Sequence, residues 1–193
     1  MSRVLILPGR DNSGPTHWQS RWQATLPACI RIEQREWAKP ARADWVESLQ
    51  RTVTALAPAP VVLVAHSLAC SLVAHWGSLG TSGTVIGALL VAPSDVDAID
   101  YPPGPVGFSP MPLARLPFPT IVVASTDDPR VSEARARAFA HAWGSEYRCI
   151  GAAGHINSDS GLGEWPAGLA LVDRLAARAV GQETCAPDTV GAR

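Results

Sequence analysis

The most continuous apolar signal along the chain lies at residues 61–76, VVLVAHSLACSLVAHW. Its first five residues are β-branched or small and carry no polar face, the pattern of a strand buried on both sides. Leu68, Leu72, Val73 and Trp76 then recur at helical spacing, so strand gives way to helix at Ser67. Upstream, residues 4–7 predict a short first strand, and PGRDNSGP after it is a cluster of turn formers feeding a helix from Pro15 or Thr16 to Leu26. Trp18, Trp22 and Leu26 share one face of that helix, as core residues do. Residues 30–33 predict a second strand. Asp44 with Glu47 three positions on predicts a capping box for a helix whose buried stripe is Trp45, Leu49, Val53 and Leu56, and which stops at Pro58 and Pro60.

Downstream, residues 84–91, 120–124 and 146–150 read as strands. A helix starting at Ser132 carries Phe139 and Trp143, and a last helix opening at Trp165 and Pro166 carries Leu169, Val172, Leu175 and Ala176 on one side. Between the fourth and fifth strands, residues 93–119 are rich in proline and glycine and have no period. A connection of that length in a compact domain is usually functional, and this one is expected to form part of a substrate pocket; the bland alternative is a poorly ordered surface loop. From about residue 181 the chain reads as a disordered tail. Strands alternating with helices predict an α/β protein: a three-layer α/β/α sandwich on a six-stranded, mainly parallel sheet, without a separate cap domain. Residues 1–180 are expected to form one domain, in line with about 100–200 residues per domain.

Composition narrows the partners. Of 193 residues, 47% are hydrophobic and 17% charged, with a formal net charge of −1, so no basic stripe points to nucleic acid or an anionic membrane. No apolar run approaches the ~20 residues of a membrane span, and the apolar stretch in MSRVLILPG is too short for a secretion signal. A cytoplasmic protein is expected. Cys29, Cys70, Cys149 and Cys185 show no C-x-x-C spacing, which favours packed thiols over a disulfide or zinc framework.

Candidate chemistry follows from where the strands end. A strand that becomes a helix within one residue lifts a serine above the sheet edge and aims the next amide, that of Leu68, at the same space; the usual form of this nucleophile elbow is G-x-S-x-G, and here Ala65 and Ala69 replace the glycines. The competing reading is that Ser67 only caps the helix. In open parallel sheets the site lies outside the C-terminal strand ends, and there this chain carries Ser67, the pair Asp127 and Asp128, and His155. Serine, acid, histidine is the chain order of α/β-hydrolases. A neutral serine needs a base near pKa 7, which imidazole supplies, and His155 follows Gly154 on a loop able to swing over the serine. Among the other histidines, His66 is expected to point away from the site, His75 and His141 to be packing or surface residues, and His17 to be structural. Asp128 is preferred as the acid over Asp127, with Asp95 as the outside candidate. The loop after the first strand lacks both G-x-x-x-x-G-K-[ST] and G-x-G-x-x-G, which disfavours a phosphate cradle and a flavodoxin-like nucleotide binder; at that position a hydrolase supplies a second oxyanion amide, for which Arg10 is the candidate and Asp11 the next.

Together PGRDNSGPTHWQSRW, VAHSLA, ASTDDPRVS and GHINSDSGLGEWP resemble the small serine hydrolases of the α/β-hydrolase superfamily, the group of retinoblastoma-binding protein 9 and the YdeN-like bacterial proteins. The resemblance spans nearly all of the chain except the tail. It implies Asp128 as the triad acid, His155 as the base, and serine-hydrolase chemistry on an ester or related acyl group of a small molecule. Ala65 departs from the glycine common there. Such chemistry needs no metal or organic cofactor. The rival from another class is a protein that keeps the hydrolase fold as a binding or scaffolding module.

Overall fold

The computed structural model describes residues 2–80 and 83–183, and the side chains up to residue 178. Six strands, β1 (Arg3–Leu7), β2 (Cys29–Arg31), β3 (Val61–His66), β4 (Val85–Val91), β5 (Thr120–Ala124) and β6 (Glu146–Cys149), form one sheet in the order β2-β1-β3-β4-β5-β6. Every pairing is parallel, so the expected sandwich holds and the sheet has no antiparallel member. Five α-helices cover it: α1 (Trp18–Thr25), α2 (Arg42–Leu56), α3 (Leu68–Gly77), α4 (Glu133–Trp143) and α5 (Pro166–Glu183). None among the described residues is long and apolar enough to cross a membrane.

The two faces follow from the handedness of parallel crossovers. The chain runs outward from β1 to β2 through α1 and then reverses, so right-handed connections put α1 on the opposite face from α2, α3 and α4. Alternate strand residues serve the two sides. Leu5, Leu63 and Ala65 pack with Trp45, Leu72, Trp76 and Phe139, whereas Ile6, Val62 and Val64 pack with Trp18, Trp22 and Leu175. Burying each Val or Leu side chain is worth roughly 1.5–3 kcal/mol. All six residues of β3 are buried, which anchors the strand end that carries Ser67.

Several element ends differ from the sequence pattern. The capping box expected at Asp44 is absent: the helix begins earlier, with Ala41 as its N-cap and no side-chain cap bond, because the Arg42 N–H is satisfied by the Val106 carbonyl at 2.9 Å. Helix α1 starts later, at Trp18, since the His17 ring accepts the Gln19 N–H through Nδ1 at 3.1 Å and caps it. The last helix continues to Glu183, past the expected end near residue 181, and the rest of the expected tail lies outside the described residues. Cys29, Cys70 and Cys149 are free thiols; Cys185 lies outside the described residues.

The connection across residues 93–119 has no helix or strand, as its composition suggests, but it is pinned by its own packing. Phe108, Met111, Leu116 and Phe118 are buried in the core beside α2, α3 and α4, and the Asp97 carboxylate accepts from Ser109 Oγ at 2.8 Å and the Met111 N–H at 3.1 Å. Its opening turn, Ser94 to Pro102, reaches the site.

Candidate active site

The site forms where the strand order reverses, between the C-terminal ends of β1 and β3, with β4, β5 and the segment after β6 closing one side. Ser67 takes φ 59° and ψ −123°, a conformation that costs a non-glycine residue about 1–3 kcal/mol. It is held there by its N–H donating to the Val91 carbonyl at 2.9 Å and by the first turn of α3, where the Cys70 N–H donates to the Ser67 carbonyl at 3.0 Å. The hydroxyl makes no cap bond to α3, which rules out the reading of Ser67 as a mere helix cap.

Its partners come from distant strand ends. Ser67 Oγ lies 2.8 Å from His155 Nε2, and His155 Nδ1 lies 2.9 and 3.0 Å from the Asp128 carboxylate oxygens. A carboxylate only accepts, so the proton sits on Nδ1 and Nε2 is left bare to receive the Ser67 proton. The Asp128 side chain is fully buried and that of His155 is 14% exposed, so the pair works largely out of water. Asp127 and Asp95 are brought elsewhere. Asp127 accepts from Ser125 Oγ at 2.6 Å and from the Ala153 and Gly154 amides at 2.9 and 2.7 Å, which pins the loop that presents His155. These bonds, the Ser125 hydroxyl first, hold its carboxyl below the ordinary range. Asp95 pairs with Arg135 Nε of α4 at 3.0 Å.

The loop after β1 lies against the serine. A Cβ on Gly9 would stand 2.8 Å from Ser67 Cβ and 3.0 Å from the His66 carbonyl, so only glycine lets the two backbones approach. The Asp11 N–H already donates to the Trp37 carbonyl at 3.0 Å, which removes it as a free amide at the site. Gln19, buried on α1, ties this loop to the sheet: its side-chain amide donates to the Leu7 and Val64 carbonyls at 3.3 and 3.1 Å, and its oxygen accepts from Ser13 Oγ at 2.7 Å.

His66 corrects an expectation. It does not point away from the site; its Nε2–H donates to the His155 carbonyl at 2.9 Å, and its ring lies 5.0 Å from the His155 ring and 4.8 Å from that of His17. The side chain after a buried strand residue turns under the crossing loop because that loop runs from β6 back over β3. Burial, then the neighbouring histidines, drives the His66 pKa well below 6.5; burial, then Arg31, lowers that of His17 to about 4. His17 is structural, as expected, through its helix cap. His75 packs against Phe108, its Nε2–H donating to that carbonyl at 2.8 Å, and His141 is on the surface. Trp18, expected only as core, also donates from its indole to the Ile156 carbonyl at 2.8 Å and so helps hold the histidine loop.

Ser94 was not among the residues singled out by motif. Its Oγ lies 2.9 Å from Ser67 Oγ, and since the single Ser67 proton points to His155, Ser94 is the donor. The sequence signal for it is its position three residues past the buried strand β4, at the same sheet edge as Ser67. Tyr101, Pro102, Arg130 and Asn157 complete a cavity of about 400 Å³ in front of the serine. No group of three or more His, Cys, Asp or Glu side chains among the described residues is arranged to hold a metal ion.

An open parallel sheet with its serine at a strand-to-helix turn and its histidine after the last strand defines an α/β-hydrolase fold. The family model described as serine hydrolase matches residues 4–174, and the chain belongs to that family of enzymes. Among solved structures it is similar to a YdeN-like hydrolase from Pectobacterium atrosepticum, with 32% identity, TM-score 0.82, and coverage of 93% of this chain and 92% of the other. The ydeN gene product of B. subtilis shares 17% identity at TM-score 0.70 over 92% of this chain and 100% of the other, and the esterase Est2 from Thermogutta terrifontis 19% at 0.63 over 92% and 82%; both speak for the fold. No curated protein sequence matches the chain.

Proposed function

We propose that the enzyme hydrolyses a small acyl ester in two steps through a Ser67–His155–Asp128 triad. The observation that carries this is the unbroken line of hydrogen bonds from Ser67 Oγ through the His155 ring to a buried Asp128 carboxylate. Ser67 attacks the carbonyl carbon while Nε2 takes its proton, and Asp128 holds the tautomer and stabilises the imidazolium. His155 then protonates the leaving alcohol, and water, deprotonated by the same nitrogen, releases the acyl group from the ester formed on Ser67. The amides of Leu68 and Arg10 hold the oxyanion. Arg10 is favoured over Asp11 because the Asp11 amide already has a backbone acceptor. The same reading takes residues 1–180 as one catalytic domain, acting in the cytoplasm on a small-molecule substrate.

A fluorophosphonate probe tests the nucleophile. The wild type is expected to label and Ser67→Ala to show none, with ester turnover reduced by about 10⁴-fold or more. Asp128→Asn should cost roughly 10⁴-fold in kcat, as loss of the correct tautomer does. Labelling that persists in Ser67→Ala, or turnover lost in Asp127→Asn and kept in Asp128→Asn, would refute the assignment.

A further inference from the structure

The cavity in front of Ser67 carries charge for which simple ester hydrolysis has no use. Arg10 and Arg130 enter its wall from two separate loops, beside Tyr101 and Pro102. The Arg10 side chain is steadied by Nη1 donating to the Pro103 carbonyl at 2.8 Å, while its Nε is buried without a hydrogen-bond partner. The nearest acidic oxygen to that Nε, on Asp11, is 3.7 Å away, and the Asp11 side chain is 68% exposed. Arg130 is fixed through its backbone, its N–H donating to Asp128 Oδ1 at 2.8 Å and its carbonyl accepting from the Asp95 N–H at 3.1 Å.

The other carboxylates around the site are committed. Asp128 faces His155, Asp127 holds the loop amides, and Asp95 and Asp97 both pair with Arg135. That leaves the Arg130 guanidinium at the cavity without an acidic partner among the described residues. Tyr101 lines the same cavity as the two arginines. Burial pushes its hydroxyl above its ordinary pKa, and the guanidinium groups of Arg10 and Arg130, with the nearby Ser94 hydroxyl, hold it back. Ser94 in turn lies 2.9 Å from Ser67 Oγ, and both serines line the same cavity as the two arginines.

We propose that Arg10 and Arg130 form an anion subsite that selects substrates whose short acyl chain ends in a carboxylate. This rests on Ser67 being the nucleophile. Guanidinium groups are always charged and their planar fork matches a carboxylate, so the partly exposed side chains of Arg10 and Arg130 offer the cavity donors for such a group. An alkyl chain of equal length would gain little here, because of the wall residues only Pro102 and the Tyr101 ring offer much apolar surface. The terminal carboxylate takes no part in the bond changes: the acyl C–O bond breaks, water supplies the new oxygen, and the products are a dicarboxylate and the alcohol.

The test compares hemisuccinate and 4-methylpentanoate esters of one fluorogenic phenol, whose acyl ends differ as carboxylate against isopropyl. The wild type is expected to favour the hemisuccinate by about tenfold or more in kcat/KM, as charge-assisted hydrogen bonds allow. In Arg130→Gln, and separately in Arg10→Gln, that preference should fall by about tenfold, mainly through KM for the hemisuccinate. A wild type indifferent to the carboxylate, or a preference that both variants retain, overturns the subsite. Labelling of wild-type Ser67 by a neutral fluorophosphonate separates the two readings. Labelling with an indifferent ester ratio removes the anion subsite and leaves the hydrolase standing, whereas absent labelling removes both.

Discussion

Ser67 stands at the end of a strand whose six residues are all buried, and its own backbone is locked between a sheet hydrogen bond and the first turn of a helix. His155 stands on an irregular segment after β6, where most residues are partly or fully exposed and the local backbone supplies little order. What orders that segment comes from elsewhere: the Asp127 carboxylate on the Ala153 and Gly154 amides, His66 on the His155 carbonyl, Trp18 on the Ile156 carbonyl, and Ile156 itself buried in the core. Ser67 is thus placed by burial and chain geometry, His155 by directional bonds across the fold. Rigidity of the first kind fails through overpacking, and of the second through loss of single polar groups.

Outside the Ser67, His155 and Asp128 side chains themselves, the largest effect should come from crowding the serine side. Gly9→Ala puts a Cβ where Ser67 Cβ would be 2.8 Å away and the His66 carbonyl 3.0 Å away, both attached to rigid backbone. The β1 loop and its Arg10 amide must shift, and we expect kcat/KM for a p-nitrophenyl ester to fall about 10²- to 10³-fold, the scale of a lost oxyanion donor. Near-wild-type turnover in Gly9→Ala would mean that the elbow is looser than its burial implies.

Acid should act on the seam between the two regions, where His17 and His66 are buried beneath His155. The folded pKa of His17, about 4, lies below its ordinary 6.5. Between those values the unfolded chain binds a proton that the folded chain does not, so stability falls as pH falls from about 6.5 to 4, and above 6.5 the group has no effect. The penalty is about 3 kcal/mol for His17 when fully developed, and the lowered pKa of His66 acts in the same direction. His17→Asn, which keeps an oxygen to cap α1, should flatten the profile of Tm against pH in that window. A wild type and variant that lose Tm in parallel on acidification would remove His17 as the cause.

A smaller loss is expected on the histidine side. Asp127→Ala removes two hydrogen bonds from the loop that presents His155, those of the Ala153 and Gly154 amides, and a third from Ser125, but leaves the His155–Asp128 pair in place. We expect kcat to fall about tenfold with KM little changed, together with faster hydrogen exchange of the Ala153 and Gly154 amides, the signature of a positioning residue. Unchanged exchange with a full loss of kcat would instead give Asp127 a direct part in the chemistry.

Much of this was legible along the chain. The buried run at β3, the helical spacing after it, and the turn formers at the other strand ends mark Ser67, the pair Asp127 and Asp128, and His155 as edge residues, because hydrophobic period reports burial and strand ends report where loops begin. Less legible was anything set by which strands are neighbours. No capping box forms at Asp44, where a carbonyl from the 93–119 segment reaches the start of α2, and His66 faces the site because the segment after β6 brings the His155 carbonyl against its ring.

By itself the sequence determined the layers, the elbow and the strand ends at which Ser67, Asp127, Asp128 and His155 stand, since each depends on residues within one turn or strand of one another. Only the tertiary structure decided that Gly9 abuts Ser67, that Ser94 donates to it, that the Asp11 amide is occupied, and that Arg10 and Arg130 meet in one cavity. Those contacts depend on a sheet order, β2-β1-β3-β4-β5-β6, that departs from chain order at the point where the site forms. A pattern of apolar and polar positions shows that a residue is at an edge, but the partner it meets there is set by strands and loops many tens of residues away.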